Sequence, residues 1–101
     1  MESHANLGNA LRQLGRLEEA RSAYARAIEL VSDNPYLYHN LGEVEALLGN
    51  MQGAIVAFEQ ALAQGTQHEA TYAALAVLLR AAGRATEAED LEEQAKRRGI
   101  F

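Results

Sequence analysis

The side chains that could serve as acids, bases, nucleophiles or metal ligands are scattered along this 101-residue chain. The three histidines, His4, His39 and His68, lie far apart in sequence, no His-x-x-x-His pair occurs, and cysteine is absent. A metal site on one helix needs ligands within one turn of each other, and thiolate sites need cysteine. We therefore expect structural or surface roles for the histidines, with no metal and no cofactor.

The other catalytic signatures are missing as well. There is no Gly-x-Gly-x-x-Gly, no phosphate loop and no glycine elbow around a serine, and Lys96 is the only lysine. The carboxylates concentrate at Glu18-Glu19 and across 87–93, where negative charge favours a helix N-terminus. The sequence predicts a protein that is not an enzyme.

Glu45 is the one carboxylate that falls on an inward-facing stripe of apolar residues. We expect its stem to pack against the neighbouring helix while the carboxylate reaches water. The alternative is a partly buried acid that resists ionisation.

Charge and hydropathy narrow the classes of partner. The net charge is −5 and 49% of the residues are hydrophobic, which is too apolar for a disordered acidic tail. Nucleic acid and anionic membranes both require clustered cations, so we expect neither as a main partner. The longest apolar run, Tyr72 to Leu79, is too short to span a bilayer, and the first residues lack a signal core. We expect a cytoplasmic protein.

Alanine and leucine dominate the apolar residues, whereas β-branched residues are sparse. This composition favours helices over strands. Apolar residues recur with the helical period in six segments. The predicted helices are 2–14, 18–31, 35–48, 52–64, 69–82 and 86–98.

The chain matches itself without gaps when it is shifted by 34 residues. Three units result, 1–34, 35–68 and 69–101, which we interpret as repeats of one helix pair within a single domain. The identical columns are Leu7, Leu41 and Leu75; Gly15, Gly49 and Gly83; Ala20, Ala54 and Ala88; and Ala27, Ala61 and Ala95.

Turn residues mark the helix ends. The three repeated glycines each end an apolar stripe, which predicts left-handed C-caps between the two helices of a unit. Asn34 or Asp33 is predicted to cap the third helix, with Pro35 in its first turn. Thr66 or Gln67 is predicted to cap the fifth helix.

This pattern resembles the tetratricopeptide repeat family over nearly the whole chain. The departures are His4 at a bulky position, Ser32 and Thr66 where proline is usual, and Glu45 at a site that is usually aromatic or leucine. The resemblance implies a right-handed superhelical solenoid of three antiparallel helix pairs, an all-α fold. The matching residues are Tyr38 and Tyr72; Leu7-Gly8 and Leu41-Gly42; Ala20, Ala54 and Ala88; Tyr24 and Phe58; and Ala27, Ala61 and Ala95.

The last helix, 86–98, differs from its counterparts. Glu92 replaces the aromatic of units one and two, and Lys96 and Arg98 replace apolar residues. Burying Glu92 without a partner would be costly, so we expect this helix to be a polar cap with no fourth unit beyond it. We further expect Gly99 to end the helix and Ile100 to fold back; the alternative is that Phe101 docks on another subunit.

In the family that this sequence resembles, the first helices of successive units line a concave groove. One family binding mode grips a C-terminal carboxylate, but Ala5, Ala70 and Ala74 stand at its cationic positions here, so we reject that mode. The resemblance implies a groove lined by Glu2, Ala5, Asn9, Arg12 and Gln13; by Tyr36, His39, Asn40, Glu43, Ala46 and Leu47; and by Ala70, Ala73, Ala74, Val77, Arg80 and Ala81.

We therefore expect a protein–protein interaction scaffold that holds a peptide or a short helix in this groove. Tyr36 and Leu47 are the predicted hot spots, and Arg12 and Arg80 suggest a partner with an apolar anchor and an acidic neighbour. The alternatives are self-assembly through a weak homodimer and, against the negative net charge, RNA recognition by a related helical repeat.

Overall fold

The computed structural model describes residues 4–31 and 33–101, and this part of the chain forms six α-helices and no strand. The all-α prediction is confirmed, and the helix ends agree to within about two residues where they can be compared; the predicted start at residue 2 lies outside the described residues. The helices are α1 (His4–Gln13), α2 (Leu17–Leu30), α3 (Pro35–Leu47), α4 (Met51–Ala63), α5 (Glu69–Ala81) and α6 (Ala85–Arg97).

Each helix packs mainly against its neighbours in chain order, which produces a stack of helix pairs. The stack measures 40 × 25 × 20 Å. No helix in the described part of the chain is long and apolar enough to cross a membrane.

The glycine caps are confirmed. At the end of α1, Gly15 has φ +79°, a conformation that L side chains rarely adopt. The Gly15 N–H donates to the Arg12 carbonyl at 3.0 Å, and the Arg16 N–H donates to the Leu11 carbonyl at 2.9 Å. These two bonds satisfy carbonyls that the helix end leaves open. Positive φ values also occur at Gly49, Gly65, Gly83 and Gly99.

One of the two N-cap predictions is confirmed. The Asn34 side chain accepts from the Tyr36 N–H at 3.0 Å, and Pro35 begins α3. The prediction for α5 is wrong, because His68 is its N-cap residue and no side chain caps it. Thr66 lies too early: its N–H is bound to the Ala61 carbonyl, and its hydroxyl accepts from the His68 N–H at 3.2 Å, ahead of the helix.

The core is built on alanines and on aromatic rings that lie against glycines. Tyr24 packs on Gly8 and Phe58 packs on Gly42, so closely that an added Cβ would lie 2.7 Å and 2.8 Å from the rings. Each ring thus joins the two helices of its own unit and belongs to a core cluster that includes residues of the next unit. The alanines of the repeat columns, Ala20, Ala54, Ala88, Ala61 and Ala95, are fully buried.

The apolar stripe of α1 is only partly covered. Leu11 is buried, whereas Leu7 and Leu14 are exposed. Leu41 and Leu75, which occupy the repeat column of Leu7, pack against the second helix of the preceding unit. No described helix precedes α1, and Leu7 remains 42% exposed.

The contact between Phe58 and Gly42 is testable with Gly42→Ala. Alanine in a helix would by itself stabilise by about 0.5–1 kcal/mol. The clash with the buried ring is expected to reverse the sign and lower the free energy of unfolding by about 1–3 kcal/mol, measured by urea denaturation.

The matched background is Phe58→Leu, which opens space beside Gly42. In that background Gly42→Ala should be neutral or stabilising. Equal destabilisation with and without the ring would contradict the packing described above.

Candidate peptide-binding site

A cleft of about 400 Å³ opens between α3 and α5, and we refer to it as the α3–α5 cleft. The buried ring of Phe58 contributes its base, while Leu47 and Val77 are 62% and 65% exposed. A cleft with these walls can accept an apolar side chain. Its lining residues are Glu43, Ala46, Leu47, Phe58, Ala74, Val77 and Leu78.

A network of polar side chains lies beside this cleft and is centred on His39, which is only 6% exposed. Its Nε2 lies 2.6 Å from Glu43 Oε1, and its Nδ1 lies 2.8 Å from the hydroxyl of the fully buried Thr71. With the ring proton on Nε2, His39 donates to Glu43 and accepts from Thr71. The His68 ring lies edge-on against the His39 ring, with 4.9 Å between the ring centroids.

Glu43 connects this network of polar side chains to the first unit. Its Oε2 lies 3.4 Å from Arg12 Nη1. The hydrogen bond from His39 holds the pKa of Glu43 below its usual range, and the Arg12 charge acts in the same direction against partial burial. Arg12, Glu43, His39 and Thr71 together link α1, α3 and α5, the first helices of the three units.

Two other predicted groove residues already have partners within the chain. Asn9 Oδ1 accepts a short hydrogen bond from the Tyr24 hydroxyl, and burial raises the pKa of that hydroxyl. Arg80 forms a two-bond ion pair with Glu92 of α6, one contact being 3.0 Å from Nη1 to Oε2. Hydrogen bonding from Arg80 lowers the pKa of Glu92. Arg12 and Arg80, the predicted cationic flank, therefore each lie beside a carboxylate of the chain, and Arg12 Nη1 is buried without a hydrogen-bond partner.

The remaining predicted residues take varied positions. Tyr36 is exposed, and its ring centroid lies 5.9 Å from that of His68. Asn40 is half-buried and Ala73 is exposed. Glu2 lies outside the described residues.

Thr71 is a site residue that the sequence reasoning did not select. It occupies the column of Leu37, an inward position, so a polar residue there was an available signal of a buried hydrogen bond. Its partner His39 lies 32 residues away, a pairing that spacing along the chain does not indicate.

The Glu45 side chain is only 14% exposed, and both oxygens of its carboxylate are bonded within the chain. Arg21 Nε donates to Oε1 at 2.6 Å and Asn50 donates to Oε2 at 3.1 Å. The carboxylate therefore joins α2 to α3. It also lies against Gly53, where an added Cβ would approach Oε2 to 2.7 Å.

The C-terminal residues fold back as expected. The Ile100 N–H donates to the Ala95 carbonyl at 2.8 Å, and Ile100 packs on the core beside α6. The Phe101 ring meets the Tyr72 ring edge-on at 6.3 Å and remains partly exposed. Within residues 4–31 and 33–101, no group of three histidine, cysteine or acidic side chains could hold a metal ion.

Sequence comparison decides the family. A TPR repeat model matches residues 8–49, and a tetratricopeptide repeat model matches residues 70–99. The chain belongs to the tetratricopeptide repeat (TPR) family. The TPR fold supports a protein–protein interaction scaffold, and proteins of this family are generally non-enzymatic. A search of curated protein sequences finds no match.

Solved structures share the TPR fold. YrrB, described as a TPR protein with an unusual peptide-binding site, gives a TM-score of 0.85 at 26% identity, over 91% of this chain and 47% of YrrB. MamA gives a TM-score of 0.83 at 22% identity, over 91% of this chain and 54% of the MamA chain. The second TPR domain of Spaghetti (RPAP3), bound to the HSP90 peptide SRMEEVD, gives a TM-score of 0.83 at 21% identity. The match covers 91% of this chain and 85% of the Spaghetti chain. This chain spans about half the length of the YrrB and MamA chains.

The buried hydrogen bond between Thr71 and His39 is testable with Thr71→Val, which keeps the shape of the side chain. It leaves His39 Nδ1 without its donor, and we expect the free energy of unfolding to fall by about 1–3 kcal/mol. The measurement is chemical denaturation at neutral pH. Thr86→Val, on the exposed surface of α6, is the control and should change stability by less than about 0.5 kcal/mol.

Glu43 should contribute to the acid sensitivity of the fold. Because its pKa is lower in the folded state than in the unfolded state, its ionised form stabilises the protein above the ordinary glutamate pKa. That contribution is lost as the pH falls through the lowered value. Thermal melting between neutral pH and about pH 3 should therefore show a shallower decline in Glu43→Gln. An unchanged slope, equal to that of Glu18→Gln on the exposed start of α2, would contradict the assignment.

Proposed function

We propose that this TPR domain is a non-enzymatic scaffold that binds a partner polypeptide by seating one of its apolar side chains in the α3–α5 cleft. The observation that carries the proposal is the cleft itself, which is walled by apolar side chains and bordered by exposed Leu47 and Val77. Exposed apolar surface beside a preformed cavity is typical of a binding site. The wider peptide-binding groove proposed around this cleft comprises Asn9, Arg12, Tyr36, His39, Asn40, Glu43, Leu47, Ala73, Val77 and Arg80.

The comparisons give this proposal its context. YrrB is described as having a peptide-binding site, and the Spaghetti domain is bound to a peptide. We extend peptide or helix binding to this chain on the basis of the α3–α5 cleft, since identities this low carry the fold rather than the ligand.

The proposed binding mode is not a carboxylate clamp. Alanines stand at the positions where such a clamp needs cations, namely Ala5, Ala70 and Ala74. The nearby arginines are engaged, Arg12 with Glu43 and Arg80 with Glu92. Capturing an acidic peptide would require breaking these pairs, so we propose an apolar anchor without the acidic neighbour expected from the sequence. The same pairing disfavours an RNA backbone as ligand.

We also propose that residues 1–101 act as one domain of three repeats, 1–34, 35–68 and 69–101, with α6 as its polar outer layer. Support comes from Glu92 and Lys96, which occupy positions that are aromatic or aliphatic in the other second helices. In α6 the Glu92 carboxylate turns to Arg80 instead of offering a surface for a further helix.

Self-assembly is the second candidate, and the exposure of Leu7, Leu14 and Phe101 favours it. Light scattering over a range of protein concentrations separates the two functions. A mass that rises with concentration, and that falls back when Leu7 and Leu14 are replaced by serine, would support a homodimer.

Binding through the cleft is testable by selecting ligands from a displayed pool of random peptides. Val77→Glu places a charge at the mouth of the cleft and should weaken selected ligands by about tenfold or more. The matched control is Val56→Glu on α4, an exposed valine that does not line the cleft. Calorimetry or fluorescence anisotropy gives the dissociation constants.

The peptide SRMEEVD is the negative probe, and we expect no measurable binding to this chain. Tight binding of SRMEEVD would overturn the exclusion of a carboxylate clamp. Ligands that respond equally to Val77→Glu and Val56→Glu would overturn the assignment of the cleft.

A further inference from the structure

Two imidazole rings meet where the second unit joins the third, and we refer to His39 and His68 as the imidazole pair. Their ring centroids lie 4.9 Å apart, with the rings edge-on. His39 is buried in α3, whereas His68 is the exposed N-cap residue of α5. Histidine is the side chain whose charge ordinarily changes between roughly pH 5 and 8. The joint between these two units therefore contains two groups that respond to mild acid.

A single threonine hydroxyl lies between the two rings. Thr71 Oγ1 is 2.8 Å from His39 Nδ1 and 3.5 Å from His68 Nδ1. A hydroxyl donates one hydrogen bond and accepts up to two. With neutral rings, Thr71 donates to His39 and accepts from His68. One added proton on either ring is also accommodated, because the hydroxyl needs only one neutral ring as its acceptor.

A second proton on the pair breaks this arrangement. With both rings charged, each Nδ1 carries a hydrogen and donates to Thr71, so the hydroxyl proton loses both imidazole acceptors. Thr71 is fully buried, and bulk water does not replace the lost acceptor. The two imidazolium charges also repel one another at this separation.

The charged side chains that face the pair balance each other before any proton is added. His39 Nε2 lies 2.6 Å from Glu43 Oε1, and the other oxygen of that carboxylate lies 3.4 Å from Arg12 Nη1 of α1. At the N-cap of α5, the helix dipole disfavours a positive charge on His68. One carboxylate would thus face one guanidinium and two imidazolium groups.

The other neighbours in residues 4–31 and 33–101 do not offset a second positive charge. The Tyr24 hydroxyl of α2 keeps its proton, because burial raises its pKa. Tyr36 of α3 and Phe58 of α4 place aromatic rings against the pair, at centroid distances of 5.9 and 5.3 Å. Glu69, in the first turn of α5, is exposed to water, which screens its charge.

We propose that the imidazole pair and Thr71 form an acid-sensitive joint that binds one proton in the folded chain, whereas the same two histidines bind two protons in the unfolded chain. By proton linkage, the folded state then loses stability as the pH falls below the range in which free histidines ionise. The joint connects α3 to α5, so mild acid weakens the attachment of the third unit to the second. This device acts whether or not the α3–α5 cleft binds a partner.

Urea denaturation of the full chain between pH 7.5 and pH 5 tests the joint. Between pH 6 and pH 5, we expect the folded-to-unfolded ratio of the wild-type chain to fall about tenfold more than that of His68→Gln. This variant removes one ring at an exposed position and leaves the bond between Thr71 and His39. His4→Gln, which removes an exposed histidine of α1, is the matched control and should keep the wild-type profile.

NMR of the imidazole rings over the same pH range separates a histidine effect from a carboxylate effect. In the folded chain, His39 and His68 should together take up one proton by pH 5, while His4 takes up its own. Two full protonations of the pair in the folded chain would overturn the proposal. A loss of stability in His68→Gln as steep as that in His4→Gln would overturn it as well.

Discussion

The packing of one aromatic ring on one glycine connects the fold to the proposed site. Phe58 lies against Gly42, which brings α4 close to α3, and the same ring forms the base of the α3–α5 cleft. The ring is almost completely buried and belongs to the core that joins the second and third units. A core contact of this kind is rigid, because close-packed interiors tolerate little displacement. The floor of the cleft is thus part of the hydrophobic core.

Beside this apolar floor, four polar side chains are linked to one another, and one of them, Arg12, also keeps a buried Nη1 without a hydrogen-bond partner. The network of side chains from Arg12 through Glu43 and His39 to Thr71 crosses all three units. Its successive contacts measure 3.4, 2.6 and 2.8 Å. Such a network removes charge from the groove while fixing the relative positions of α1, α3 and α5. The surface left for a partner is apolar, which favours burial over ion pairing as the source of affinity.

The third unit shows how the repeat changes where its surroundings change. Ala76 takes the place of the glycine, and Glu92 takes the place of the ring. Without a ring there is no need for glycine, and alanine costs less conformational entropy in a helix. Arg80 then supplies the counter-charge for Glu92. The two substitutions and the arginine form one consistent set that makes the outer side of α6 polar.

Much of the fold is determined by the sequence alone, because its signals are local or periodic. The repeat of 34 residues, the apolar period and the capping residues Gly15, Asn34 and Pro35 indicated six helices close to their observed bounds, and matched positions identified the family. The N-cap of α5 was predicted wrongly because the N–H and the hydroxyl of Thr66 are both bonded within the turn after Gly65, ahead of the helix.

The tertiary structure decided which polar side chains remain available. The sequence places Arg12, Asn9 and Arg80 on the groove side but does not show that Glu43, Tyr24 and Glu92 engage them. Those partners lie 12 to 31 residues away, and whether two side chains meet depends on how helices cross and how rotamers point. The sequence therefore determined which residues flank the proposed groove, whereas packing determined which of them are paired within the chain.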